Sequence, residues 1–167
     1  MLIYHGSNMV VKNPEIYDEY RPMDFGGGFY CTTDKEQAID FTSLVYKRNK
    51  KENIEYNKPK IVSIYEIDLN KAMNELNSKK FVKGEEWFDF VDENRDSRYN
   101  GDKYDIILGP VANDNTHTAF TLYRTGIIDK EEAIKRLLPM KLSDQVFFAT
   151  EKALSYLTYT GFEEVKG

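Results

Sequence analysis

The side chains in this sequence that could carry chemistry are few. Among 167 residues there are two histidines, His5 and His117, and one cysteine, Cys31. No Cys-x-x-Cys or His-Glu-x-x-His spacing accompanies them, so the ligand sets that hold structural or catalytic metals are not written here, and no metal is expected. A serine hydrolase would need a Gly-x-Ser-x-Gly elbow, which is absent. What remains is a dispersed set. It comprises His5 at the end of the first apolar run, the glycines Gly26, Gly27 and Gly28 leading into Phe29 and Tyr30, Phe41 eleven residues beyond Tyr30, and Gln145 opening a late apolar run. The rings of Tyr30 and Phe41 offer broad π faces to a flat ligand. A neutral histidine offers one donor and one acceptor. These are groups suited to holding and orienting a planar, hydrogen-bonding molecule.

Residues so far apart need elements to bring them together. Residues 2–5 read as a short strand, and residues 10–23, with Pro14 and Pro22, as loop with one short strand around Val10. The glycines then feed a β-prone run, Phe29 to Thr33. Thr33 and Glu36 have capping-box spacing, and Ala38, Phe41 and Val45 share a helical face, so a helix is expected to about Lys47, followed by polar loop through Lys58. Alternation predicts a strand over 61–69. A short helix over 71–76, a short strand over 79–82 and an amphipathic helix over 85–96 with Trp87, Phe88 and Val91 follow. Residues 104–108 form a strand stopped by Gly109 and Pro110; 113–115 form a turn; 116–124 are helical. Asp129 and Glu132 cap a helix carrying Ala133, Ile134, Leu137 and Leu138. A buried strand over 144–150, a brief helix capped by Thr150 and a last strand over 159–165 complete the chain. The irregular helical crossovers argue for one α+β domain, residues 1–167, with mixed or antiparallel sheets. The Gly-x-Gly-x-x-Gly fingerprint is absent, since the glycines precede a strand.

Composition restricts the partners. The net charge is −5, and the one basic run, Lys47 to Lys51, reads as a solvated helix end, so the broad footprint of a dedicated nucleic-acid binder is missing. The 12 tyrosines and 10 phenylalanines suit strands and half-exposed clefts. A lone cysteine makes no internal disulfide, the start lacks the pattern of a signal peptide, and no run reaches membrane-spanning length. A soluble, cytoplasmic protein without membrane contact is expected.

Taken in order, the strings resemble a known group. Tyr4-His5-Gly6-Ser7 resembles the first-strand motif of the diphtheria-toxin and poly-ADP-ribose-polymerase group of ADP-ribosyltransferases. Gly27-Gly28-Phe29-Tyr30 resembles their Gly-x-Tyr strand, Phe41 falls where they place a second stacking aromatic, and Gln145 stands where the third member of their triad, usually glutamate, opens a later strand. His-Gly-Ser, Asp-Phe-Gly-x-Gly-Phe-Tyr and Gln-Val-x-Phe are similar, more narrowly, to an uncharacterised bacterial family of this superfamily.

The resemblance implies a split β-sandwich of two small sheets binding NAD as substrate, with nicotinamide between Tyr30 and Phe41. It implies His5, Tyr30 and Gln145 as the catalytic set, with His5, Gly6, Ser7, Arg21, Gly28, Tyr30 and Phe41 binding NAD. Within it, the Gly6 backbone would meet the nicotinamide amide, His5 a ribose hydroxyl of the adenosine half and Arg21 the pyrophosphate. A serine that contacts the amide in some relatives is Ala38 here. The implied activity is mono-ADP-ribosylation of a protein or a nucleic acid, as a toxin or effector with a neutralising partner. NAD hydrolysis and a catalytically weak NAD- or ADP-ribose-binding module are the alternatives. Gln145 brings no negative charge to an oxocarbenium-like transition state, which leaves Asp144, Glu151 or Asp114 to supply it. Ser143 stands where arginine-modifying relatives carry an additional acid, so a guanidinium acceptor is not expected.

Overall fold

The computed structural model describes residues 1–17, 23–112, 116–138 and 144–167. Its elements in chain order are β1 (Leu2–Ser7), β2 (Phe29–Thr32), α1 (Lys35–Glu52), β3 (Ile61–Glu66), α2 (Leu69–Glu75), β4 (Ser78–Lys80) and α3 (Glu85–Arg95). There follow β5 (Ile106–Pro110), α4 (Thr116–Arg124), α5 (Lys130–Leu137), β6 (Asp144–Phe148), α6 (Glu151–Leu154) and β7 (Thr158–Glu164). The fold is α+β. The seven strands lie in the order β4-β5-β6-β2-β1-β3-β7, antiparallel throughout except for the parallel pair β4 and β5.

Strand alternation distributes the apolar residues to two cores. Val146 and Phe148 of β6 and Ile106 of β5 point to one face, where Ile3, Phe29, Cys31 and Tyr65 meet Ala72 and Leu76 beside α2 and Ala153 and Leu154 of α6. Phe147 and Ile107, one residue out of phase, point to the other face, into Phe25, Trp87, Phe88, Val91, Phe120 and Leu137. The central strands β5 and β6 are therefore buried on both faces. That is why they read as continuous apolar runs.

Helix α1 lies directly on β1. A Cβ at Gly6 would stand 2.3 Å from the Ala38 carbonyl oxygen, so the missing side chain is what lets helix and strand touch. Its buried contacts are Ala38 and Thr42, one turn apart, so the inward face differs from the expected Ala38, Phe41 and Val45; Phe41 is 38 % exposed. The cap is Asp34, whose carboxylate accepts from the Glu36 N–H at 3.0 Å, and not Thr33. The Thr33 N–H still donates to the Asp144 carbonyl, 3.1 Å away, so the strand releases the chain one residue later than the capping-box spacing suggests. The basic run Lys47 to Lys51 lies inside α1, because lysine and arginine favour helix and Lys50 and Lys51 face the negative end of its dipole.

Three further boundaries differ from expectation. No strand forms at Val10; the chain there is held by the Val11 N–H donating to Ser63 Oγ (3.0 Å) and by the Tyr65 hydroxyl donating to the Val11 carbonyl (2.5 Å). β3 stops at Glu66, because Asp68 turns its side chain back to cap α2. Gly109 and Pro110 belong to β5. The Ala149 N–H donates to the Asp105 carbonyl, so every second residue from Asp105 faces β6 and Pro110 faces the β4 side, past the last residue of β4. The missing proline N–H breaks no ladder bond there.

Candidate functional site

The strands expected as two small sheets form one, but that sheet is thin at a single place. β1 and β3 share six residue pairs and β2 and β6 share four, whereas β1 and β2 share one, Tyr4 opposite Thr32. The direction of the backbone at this seam follows from its neighbours. Met1 and Ile67 exchange hydrogen bonds at 2.9 and 3.0 Å, so Ile3, His5 and Ser7 turn their N–H and C=O toward β3, and Tyr4 and Gly6 turn theirs toward β2. The Thr33 bond to Asp144 sets the same alternation on β2: Phe29 and Cys31 face β6, while Tyr30 and Thr32 face β1. Gly6 and Tyr30 therefore face each other where the ladder has ended.

His5 fills part of that opening. Its Nδ1 lies 2.6 Å from the Tyr30 carbonyl oxygen. A carbonyl only accepts, so Nδ1 carries the proton and Nε2 is left as an acceptor. The ring stacks on Phe29 with centroids 4.4 Å apart. Burial lowers the His5 pKa below its ordinary value, and the bond to Tyr30 opposes this only in part. The unfolded chain therefore binds a proton that the folded one resists. Stability contributed this way is complete above about pH 6.5 and is lost as the pH falls through that value. The urea midpoint is expected to drop between pH 7.5 and 5.5, and to drop less in His5→Asn, whose amide can still donate to Tyr30; equal slopes would remove His5 as the cause.

Tyr30 and Gln145 project from the opposite face of the strands to His5. In the β2–β6 register Tyr30 pairs with Phe147 and Thr32 with Gln145, so Tyr30 and Gln145 are diagonal neighbours on one face. The Tyr30 hydroxyl donates to the Gly26 carbonyl at 2.6 Å and accepts from the Phe25 N–H at 3.0 Å, which closes the glycine loop onto the ring. Burial, with the Asp24 carboxylate adding to it, raises the phenol pKa well above its usual value, so Tyr30 is a neutral anchor and not a base. The ring itself packs on Phe147, 4.7 Å between centroids.

Gln145 is only 7 % exposed. Its Nε2 donates to Asp24 Oδ2 at 3.0 Å and to the Pro110 carbonyl at 3.1 Å. Both neighbours are acceptors, so the nitrogen must lie on their side and Oε1 is directed away from them. Asp24, 5 % exposed, also accepts from Arg95 Nε at 2.9 Å and from the Ala112 N–H at 3.2 Å. The acid that the fold brings to Gln145 is thus Asp24. Asp144 is exposed, and Glu151 is engaged with the Ile16 N–H at 2.9 Å. Asp24 opens the Asp-Phe-Gly-x-Gly-Phe-Tyr string, but nothing in that string links it to Gln145, 121 residues away.

The other expected residues are placed as follows. Phe41 lies one turn beyond Gln37, whose Oε1 accepts from Thr32 Oγ1 at 2.7 Å, so Phe41 stands on the helix face over β2. The Ser7 hydroxyl donates to the Met9 carbonyl at 2.7 Å, forming a local turn. Gly28 makes a close approach, since a Cβ there would meet Phe147 Cε2 at 2.3 Å and the Phe148 carbonyl at 2.5 Å. Arg21, Asp114 and Ser143 lie outside the described residues. A shallow recess of about 480 Å³ between Met1, Ile67, Asn70 and Tyr156 is remote from the seam and gathers none of these groups.

The β1–β2 seam thus has Gly6 beyond its one residue pair and the fixed imidazole of His5, while the buried carboxylate–amide pair lies beside Tyr30 on the opposite face of the strands. Against known proteins, a family model described as "Protein of unknown function (DUF3990)" matches residues 1–159. No curated protein and no solved structure matches the chain. Among the described residues no helix is long and apolar enough to cross a membrane.

Proposed function

We propose that this chain, which belongs to that DUF3990 family of unknown function, is a mono-ADP-ribosyltransferase of the split β-sandwich type that uses NAD as its substrate. The observation that carries this reading is the seam. Gly6 turns a backbone donor and acceptor toward β2 where the ladder stops, and a primary amide such as that of nicotinamide presents the complementary pair. Tyr30, with Phe41 on the helix over β2, supplies aromatic faces for the cationic pyridinium. Nε2 of His5 accepts a hydrogen bond from a ribose hydroxyl, and Oε1 of Gln145 accepts another.

The chemistry balances without a base in the protein. The bond from ribose C1′ to the pyridinium nitrogen breaks with its electron pair moving to that nitrogen, so nicotinamide leaves neutral. Positive charge builds on the ribose, and the acceptor nucleophile bonds to C1′ and releases its proton to water. The acceptor is a protein or a nucleic acid. A role as an effector held by a neutralising partner is consistent with this activity.

The test is incubation of the purified protein with labelled NAD, lysate protein and nucleic acid, following both label and free nicotinamide. Label on a macromolecule that disappears in Tyr30→Ala is the expected result. Free nicotinamide with no labelled product would replace transfer by hydrolysis, and an NAD-dependent rise in Tm with neither product would leave a binding module. No binding of NAD would overturn the reading.

A further inference from the structure

From the bonds around Gln145 we infer that Asp24 is a positioning residue which divides the work of a single catalytic carboxylate between two side chains. The inference rests on the NAD reading for its consequence, though not for its geometry. An amide can turn either end toward a ligand. Here the choice is removed, because Asp24 Oδ2 and the Pro110 carbonyl take both hydrogens of Nε2. Asp24 is itself held from two sides, by Arg95 Nε and by the Ala112 N–H, so it cannot swing away to release the amide. The consequence is a glutamine that presents only an acceptor. It meets a ribose hydroxyl as a carboxylate oxygen would, while the negative charge sits one residue behind it.

Arg95 qualifies that charge. Its guanidinium binds Asp24 from α3 and is partly exposed, whereas the carboxylate is buried. The pair therefore favours orientation over a strong field at the ribose. The same arrangement sets what Gln145 can meet: the ligand group facing it must be a donor, as a hydroxyl of the nicotinamide ribose is.

The geometry is tested first without substrate. In ¹⁵N–¹H spectra the Gln145 side-chain amide protons are expected to exchange slowly with water; rapid exchange in the unaltered protein would overturn the inference whatever the protein binds. With NAD, Asp24→Asn can set a donor against the amide and leaves the Pro110 carbonyl as the one fixed acceptor, so the outward end of Gln145 is no longer held as an acceptor. Nicotinamide release is expected to fall about 100-fold with NAD affinity nearly unchanged. The pair Asp24→Asn with Gln145→Glu restores an outward acceptor and is expected to recover most of that loss. A purely structural Asp24 would lower Tm and gain nothing from the second change, so a double variant no faster than Asp24→Asn defeats the inference. Turnover in the unaltered protein with no effect of Asp24→Asn defeats it as well and leaves the NAD reading standing.

Discussion

Replacing Trp87 by alanine is expected to lower the unfolding free energy by about 3–5 kcal/mol, as loss of a large, fully enclosed aromatic does elsewhere. Trp87 has no exposed surface and sits among Phe88, Val91, Ile107 and Leu137 in the core that covers one face of β5 and β6. Its indole N–H donates to the Pro110 carbonyl at 3.1 Å, the same oxygen that accepts from Gln145 Nε2. The alanine variant therefore opens a cavity and loosens one of the two acceptors that hold Gln145. Trp87→Phe keeps most of the ring volume and removes only the donor, so its loss should be about 1 kcal/mol. Urea midpoints at constant m value separate the two contributions. A loss below about 1 kcal/mol for Trp87→Ala would mean that the core closes over the gap, and that α3 is not anchored as described.

Gln145→Ala is expected to slow nicotinamide release by about 10² to 10³-fold, the usual consequence of deleting one preorganised polar contact to a developing charge. The fold should survive the change. Asp24 retains Arg95 and the Ala112 N–H, and the Pro110 carbonyl retains the Trp87 indole, so no buried acceptor is left without a donor. NAD affinity should change little, because the Gly6 and Tyr30 regions are untouched. Single-turnover kinetics at saturating NAD would isolate the step. A rate within about threefold of the unaltered protein would take Gln145 out of the reaction.

The elements were legible wherever local chemistry decided them. Val146, Phe147 and Phe148 make a run with no polar phase, and a strand buried on both faces is what such a run can be. Asp129 accepts from the Glu132 N–H at 2.8 Å, as its spacing foretold. Errors arose where a neighbour outside the window intervened. Thr33 fails as a cap because β6 holds it in the ladder, and Phe41 stays partly exposed because Gly6 draws Ala38 and Thr42 to the strand instead. The site was legible as residue types and not as partners. His5, Tyr30 and Gln145 stand out by kind, yet the bond from His5 to the Tyr30 carbonyl and the carboxylate of Asp24 behind Gln145 depend on strand register, which no local pattern encodes.

The thin seam also bears on how the chain reaches this structure. β1, β3 and β7 lie on one side of it and β4, β5, β6 and β2 on the other, so the chain passes from side to side between β1 and β2, β2 and β3, β3 and β4, and β6 and β7. Neither side is a continuous length of polypeptide. Each can be completed only by segments made far apart in the sequence, down to β7 pairing with β3 near the C-terminus. A topology of such high contact order pays loop-closure entropy before most of its pairings form, so refolding should be slow and neither side should persist as an excised fragment.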